Sequence, residues 1–228
     1  MKFVISNVLF KKYPEVTIGV VVAKNLDNRG ESKDVDQLLR REESKIRKQF
    51  VLDTLPQTPS IQNWRNAYKS FGSEERCSSE ALIRTILKGN QIRHINKLVD
   101  LYNYVSLKYV TPVGGEDLGK IDGNIYLKFA DGSDRFAILG GAESPREGEI
   151  VYADGKEVLC RNWNWRESEN TKLTEDTRNA ILVIDALPPV TGEVVKAAMD
   201  NLSDLVSRFC GASTATFMLN AGNREIDF

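Results

Sequence analysis

Two stretches decide how this chain reads: NKLVDLYNYVSLKYVTPVGGEDLGKI, residues 96–121, and CRNWNWRESENTKLTEDTRNAILVIDAL, residues 160–187. The first opens as a helix over residues 96–109. Leu98, Leu101, Tyr102 and Val105 form its apolar side, and Asn96, Asp100 and Asn103 its opposite side. Pro112 and Gly114-Gly115 break it. The second ends in an apolar run, residues 179–186, with the character of a buried strand. Between these signals lie Asn, Trp, Glu, Thr and paired Gly, at places where plain helix and strand formers would serve a scaffold.

Outward from these stretches the pattern mixes element types. Residues 2–10 and 16–23 are rich in Val and Ile and read as two strands joined at Tyr13-Pro14. Residues 34–50 place Val35, Leu38, Leu39, Ile46 and Phe50 on one helical stripe, with Arg40, Arg41, Lys45 and Lys48 turned away. Ser60 caps a short helix carrying Ile61, Trp64, Ala67, Tyr68 and Phe71, and Ser78 or Ser79 caps another over residues 80–88. Residues 125–130, 135–139, 150–153 and 158–163 read as short strands. Turns at Asp131-Gly132, Gly140-Gly141 and Asp154-Gly155 join them as an antiparallel meander. A helix over 193–209 ending at Gly211 and a strand over 214–219 close the chain. The fold class expected is α+β, a mixed, largely antiparallel arrangement of sheet with packed helices.

A chain of 228 residues supports one substantial core. Its 41% hydrophobic and 28% charged content are ordinary for a globular protein. The longest apolar run, residues 18–23, is too short to cross a bilayer. No small-residue cleavage site follows the N-terminus, so neither a signal peptide nor a membrane partner is expected. Three cysteines without CxxC spacing fit a reducing cytoplasm rather than a disulfide framework or a zinc site. The net charge of −1 excludes binding nucleic acid through a broad basic surface, and DNA is not an expected partner. RNA contact would need a local patch. Residues 81–99 contain no acid while Arg84, Lys88, Arg93, His94 and Lys97 supply positive charge, which offers one.

The chemistry available is limited. His94 is the only histidine, so a two-histidine metal site cannot be built, and its cationic neighbours would make it a poorer base. No cofactor motif is present, and neither glycine pair has phosphate-loop spacing. Gly114-Gly115 serves either as a simple helix stop or as bare backbone against which a bulky ligand or an oxyanion can approach. Residues 162–174 are the richest in polar groups. Strand alternation would set Asn162, Asn164 and Arg166 on one side and Trp163 and Trp165 on the other.

The helix running into VGG-x-DL, the NWR segment and the TKLTEDT run occur here in the order found in freestanding proteins similar to the B3/B4 domain of the phenylalanyl-tRNA synthetase beta subunit. The resemblance covers residues 76–190 of a single domain, residues 1–228, flanked by an N-terminal part (1–75) and a C-terminal helix and strand (191–228). It implies a trans-acting hydrolase that removes the amino acid from mischarged tRNA, without a cofactor or metal. The glutamate of the family's Gly-Gly-Glu-His-Ser-Gly loop aligns with Glu169, which is expected to bind the ammonium or a side-chain hydroxyl, with Asn164 and Asn170 placing ester and water as its catalytic partners. Substrate contacts are expected at Gly114, Gly115, Arg166, Thr171 and Asn103, and the acid-free basic stretch is expected to supply tRNA contacts through Arg84, Lys88, Arg93 and Lys97. Departures are plain: the loop glycines are Glu167 and Ser168, its histidine is Asn170, and the family's Pro-x-His reads Pro112-Val113-Gly114. Tyrosine, the amino acid that the synthetase rejects, therefore does not carry over as the substrate. A non-catalytic module binding tRNA or an amino acid, and a hydrolase of small aminoacyl esters, remain alternatives.

Overall fold

The computed structural model describes all residues 1–228. In chain order the elements are β1 (Lys2–Ile5), α1 (Asn7–Lys12), β2 (Thr17–Lys24), α2 (Lys33–Gln49), α3 (Pro59–Ser70), α4 (Ser78–Leu87), α5 (Lys97–Tyr109), β3 (Val113–Asp117), β4 (Ile125–Phe129), β5 (Phe136–Ile138), β6 (Gly141–Glu143), β7 (Ile150–Ala153), β8 (Val158–Arg161), β9 (Arg166–Glu167), β10 (Asn179–Ala186), α6 (Gly192–Cys210), β11 (Ser213–Leu219) and β12 (Glu225–Asp227). The fold is α+β.

One antiparallel sheet has the order β11-β2-β10-β3. Its two central strands are buried on both faces, which is why β2 (TIGVVVAK) and β10 (NAILVIDA) are continuously apolar rather than alternating. On one face Val21, Ala23, Leu182 and Ile184 join a core with α2, α5 and α6. Gly19 lets α6 approach, since a Cβ there would lie 2.7 Å from Met199 Cγ. On the other face Ile18, Val20, Val22 and Ile181 pack with Phe3, Ile5, Ile125, Leu127, Leu159, Trp64 and Trp163. Those residues bring in α3 and the second sheet, of order β12-β1-β4-β7-β8-β5-β6 with β9 paired to β8. Residues 1–75 thus supply strands to both sheets.

Several expectations need correction. Residues 2–10 are not one strand: β1 stops at Ile5, and α1 buries the consecutive pair Leu9 and Phe10, a grouping that a strand would split between faces. The short strands are not a meander, because β1 pairs with β4 and β5 with β8 in parallel. The helix over 97–109 is buried almost all round, with Asp100 and Asn103 inside as well, because it is packed between α2, α4, α6 and β3. Its stop is Val110, held in the left-handed region at φ 52°. Gly114-Gly115 is not a bend but lies within β3, opposite Val183 and Leu182 of β10.

The TKLTEDT run braces that strand. Asp117 N–H donates to Thr171 O (2.9 Å), Thr177 Oγ1 to Asp117 Oδ2 (2.8 Å), and Asn96 Nδ2 to Leu173 O (3.2 Å). Gly115 has no room for a side chain. A Cβ there would meet Leu182 Cδ2 at 2.5 Å and the Ile181 carbonyl oxygen at 2.8 Å, and a backbone atom cannot turn aside. Gly115→Ala should therefore lower the unfolding free energy by about 1–3 kcal/mol, the usual range for overpacking, measured by urea denaturation. An unchanged midpoint would contradict this packing.

Candidate functional site

Between the two sheets lies a cavity of about 420 Å³, at the small end of the roughly 300–1,000 Å³ typical of ligand pockets. Alternate residues of β10 (Ile181, Val183, Asp185) and of β3 (Gly114, Glu116) supply one wall. Tyr152, Leu159 and Cys160 of β7 and β8 supply the other. The turn over residues 162–165 closes one side, and α4 and α5 bring Leu82, Thr85, Tyr102 and Asn103 to it.

That turn does not follow strand alternation. Asn162 and Trp163 take left-handed backbone (φ 46° and 66°), so Trp163 and Asn164 both turn inward. Arg161 fixes the entry to it with two bonds to the buried Glu149 (2.9 and 2.8 Å) and one to Glu143 (2.6 Å). Glu149 also accepts from Asn162 N–H (3.0 Å). Burial alone would raise the Glu149 carboxyl, but these donors hold it below its ordinary value.

Three acids line the cavity. Asp185 accepts from Tyr152 Oη (2.5 Å), Trp163 Nε1 (3.2 Å) and Asn164 Nδ2 (3.2 Å), while Asn164 Oδ1 accepts from Tyr68 Oη (3.0 Å). Burial pushes Asp185 up to about 6, against the pull of its three donors. Glu167 lies over Gly114, where a Cβ would come 2.9 Å from its Oε1, and it accepts from Gly115 N–H (3.1 Å). Burial pushes it up to about 7, offset in part by that bond. Glu116 is 7% exposed and its Oε2 has no partner. Burial, then the adjacent Glu167 charge, raise it well above the carboxylate range. None of the three is in an ion pair.

Of the residues singled out from sequence, Asn164, Arg166, Gly114, Gly115 and Asn103 meet at this cavity. Glu169 does not. It lies outside, bonded to Lys172 Nζ (2.5 Å), while Asn170 is exposed and donates to Glu157 (2.9 Å). Thr171 is fully buried in the brace beside β3. The Gly115 N–H is not free for an oxyanion, because Glu167 occupies it. Arg84 leans on Glu80 (3.9 Å) and Lys97 begins α5, whereas Lys88 and Arg93 are exposed on the connection between α4 and α5. His94 bonds Asp100 (2.6 Å) away from the cavity, and that bond raises its pKa, opposite to the effect expected from its cationic neighbours. Cys160 lines the cavity, but burial and then the Glu167 and Glu116 charges push its thiol well up, so it offers no thiolate near neutrality.

Glu116, Glu167 and Asp185 are the residues that sequence reasoning missed. Two signals were present: a single acid inside the apolar run ILVIDAL, and an acid directly after a diglycine. Each of the three keeps its proton to higher pH when folded than when unfolded, so the unfolded chain deprotonates first. Stability should accordingly fall as pH rises from about 4 to 7, by up to ~1.4 kcal/mol per pH unit for each group. Urea denaturation across that window checks this, and Asp185→Asn or Glu167→Gln should flatten the slope. A stability that rises through the window would contradict these placements.

The B3/4 domain family matches residues 63–211. The chain is 25% identical over 108 residues to the phenylalanine–tRNA ligase beta subunit of Fusobacterium nucleatum, covering 47% of this chain and 13% of that protein. It is 36% identical over 70 residues to the same subunit of Aliivibrio fischeri (30% and 9%), and 27% identical over 123 residues to that of Legionella pneumophila (54% and 16%). The chain thus spans less than a fifth of the length of these relatives. An N-terminal fragment of the phenylalanyl-tRNA synthetase beta-subunit from Pyrococcus horikoshii superposes with a TM-score of 0.48 at 15% identity, covering 93% of this chain and 49% of that one. With the family match extending over more than half of its residues, the chain belongs to the B3/4 domain family.

Proposed function

We propose that this protein hydrolyses the ester of mischarged aminoacyl-tRNA, acting in trans on tRNA released by a synthetase. The observation that carries this reading is the enclosed cavity in which acids without cationic partners gather with Asn164, one of them seated over Gly114. An aminoacyl group brings an ammonium, which such a lining accepts. Asp185 keeps acceptor capacity on Oδ2, where Asn164 is its one partner, and together they form the ammonium subsite. Arg166, half-exposed at the rim, faces the terminal ribose and phosphate. The cavity holds an amino acid and its ester, not the tRNA body. The tRNA lies across α4, whose Thr85 lines the cavity and whose end, one turn on, carries Lys88, followed by Arg93.

The ester is already activated, so positioning a water and stabilising charge at the carbonyl are the main demands. A second sieve of this kind is useful because apolar synthetase pockets separate near-isosteric amino acids by only about 10–200-fold. The carboxylate role expected at Glu169 passes to the cavity acids.

The test is release of labelled amino acid from a panel of mischarged tRNAs. Asp185→Asn and Asn164→Ala should each slow release by about 10–100-fold, the loss of one hydrogen bond to a charged group. Glu169→Ala should stay close to the parent. Lys88→Ala and Arg93→Ala should each flatten the log–log salt dependence of binding by about one unit. No release from any tRNA ends this reading, and salt-independent hydrolysis of small aminoacyl esters alone replaces it.

A further inference from the structure

Strand β3 turns Gly114 and Glu116 to the same face, and Glu167 reaches over Gly114 to the Gly115 N–H. Two carboxyls therefore stand side by side on one cavity wall. Glu116 Oε2 is buried without a hydrogen bond of good geometry, the Thr171 hydroxyl being the polar side chain near it, and only the Gly115 N–H bonds Glu167, so both retain unused oxygens. The charged groups acting on Glu116 from elsewhere are Asp154 and Lys120, of opposite sign. Tyr102 and Cys160, which face the pair across the cavity, stay neutral because burial raises both, and Asp185 stands farther along the same wall on β10. Arg166 follows the strand to the rim and pairs weakly with Glu143 (3.9 Å) instead. Adjacent acids in so enclosed a place raise each other's pKa, so the second ionises at higher pH than the first.

We propose that Glu116 and Glu167 are the acid–base couple of the deacylation, an assignment that rests on the deacylase reading above. Glu167 as carboxylate takes a proton from the attacking water while the water oxygen bonds the ester carbonyl carbon. As the intermediate collapses, the bond to the ribose oxygen breaks, and the Glu116 carboxylic acid gives that oxygen its proton. Passage of the proton held by Glu167 to Glu116 restores the couple. One water is consumed, and a free amino acid and a tRNA hydroxyl result. The near-neutral titration of Glu167 and the high one of Glu116 place a base and an acid together at neutral pH.

The test combines single-turnover deacylation with carbon-13 carboxyl titration of the free protein. Glu167→Gln and Glu116→Gln should each reduce the rate constant about 100–10,000-fold with little change in half-saturation, and Glu167→Gln should remove the rising limb of the pH profile. In the parent the two carboxyls should titrate in two separated steps, one near neutrality, and either Gln variant should leave a single step. Parent activity with variants slowed less than tenfold overturns the couple and leaves the deacylase reading standing. Two ordinary carboxyl titrations overturn it even if a variant fails to fold. A parent that titrates in two steps but deacylates nothing overturns the deacylase reading, and the catalytic assignment with it.

Discussion

The site depends on two missing side chains. Gly115 lets β3 lie flat against β10, and Gly114 leaves a gap that the Glu167 carboxyl fills. The Gly115 N–H then binds that carboxyl and ties the edge of one sheet to β9 of the other. With ordinary residues at these places the sheets could not close on a cavity with a carboxyl at its seam. The Asp117–Thr171 and Asp117–Thr177 bonds hold the same strand from its far end. The VGGED and TKLTEDT motifs are thus two halves of one brace.

The cavity is held open at a cost. Three acids sit in it without ion pairs, a placement that burial opposes and that hydrogen bonding alone relieves at Asp185. Elsewhere several buried acids have a cationic partner: Glu149 has Arg161, Glu80 has Arg65, and Glu43 has Arg40, while Asp117 is held by hydrogen bonds in the brace. The contrast separates structural acids from those facing the cavity, which stay available to a cation or a proton brought by a ligand.

Much of this was legible in the sequence where one local rule governs. The α2 stripe, the apolar β10 and the Gly211 stop of α6 follow from periodicity and capping. Elements set by distant partners were not legible. The parallel pairings of β1 and β5 depend on strands far along the chain, and the full burial of α5 depends on elements packed on every side. In the site, alternation failed at Asn162 and Trp163, whose left-handed backbone reorients the residues after them. The resemblance put weight on Glu169, while the fold turns Glu167 inward and leaves Glu169 to Lys172.

The central claim is that the wall joining β3 to β9 receives an aminoacyl ester. The most direct measurement is a crystal structure with an adenosine carrying an amino acid through a stable 3′-amide. The account predicts the ammonium within hydrogen-bond distance of Asp185 and Asn164, and the amide carbonyl beside Glu116 and Glu167. An analogue seated outside the space between the sheets, or turned with its adenine against Asp185, would contradict it.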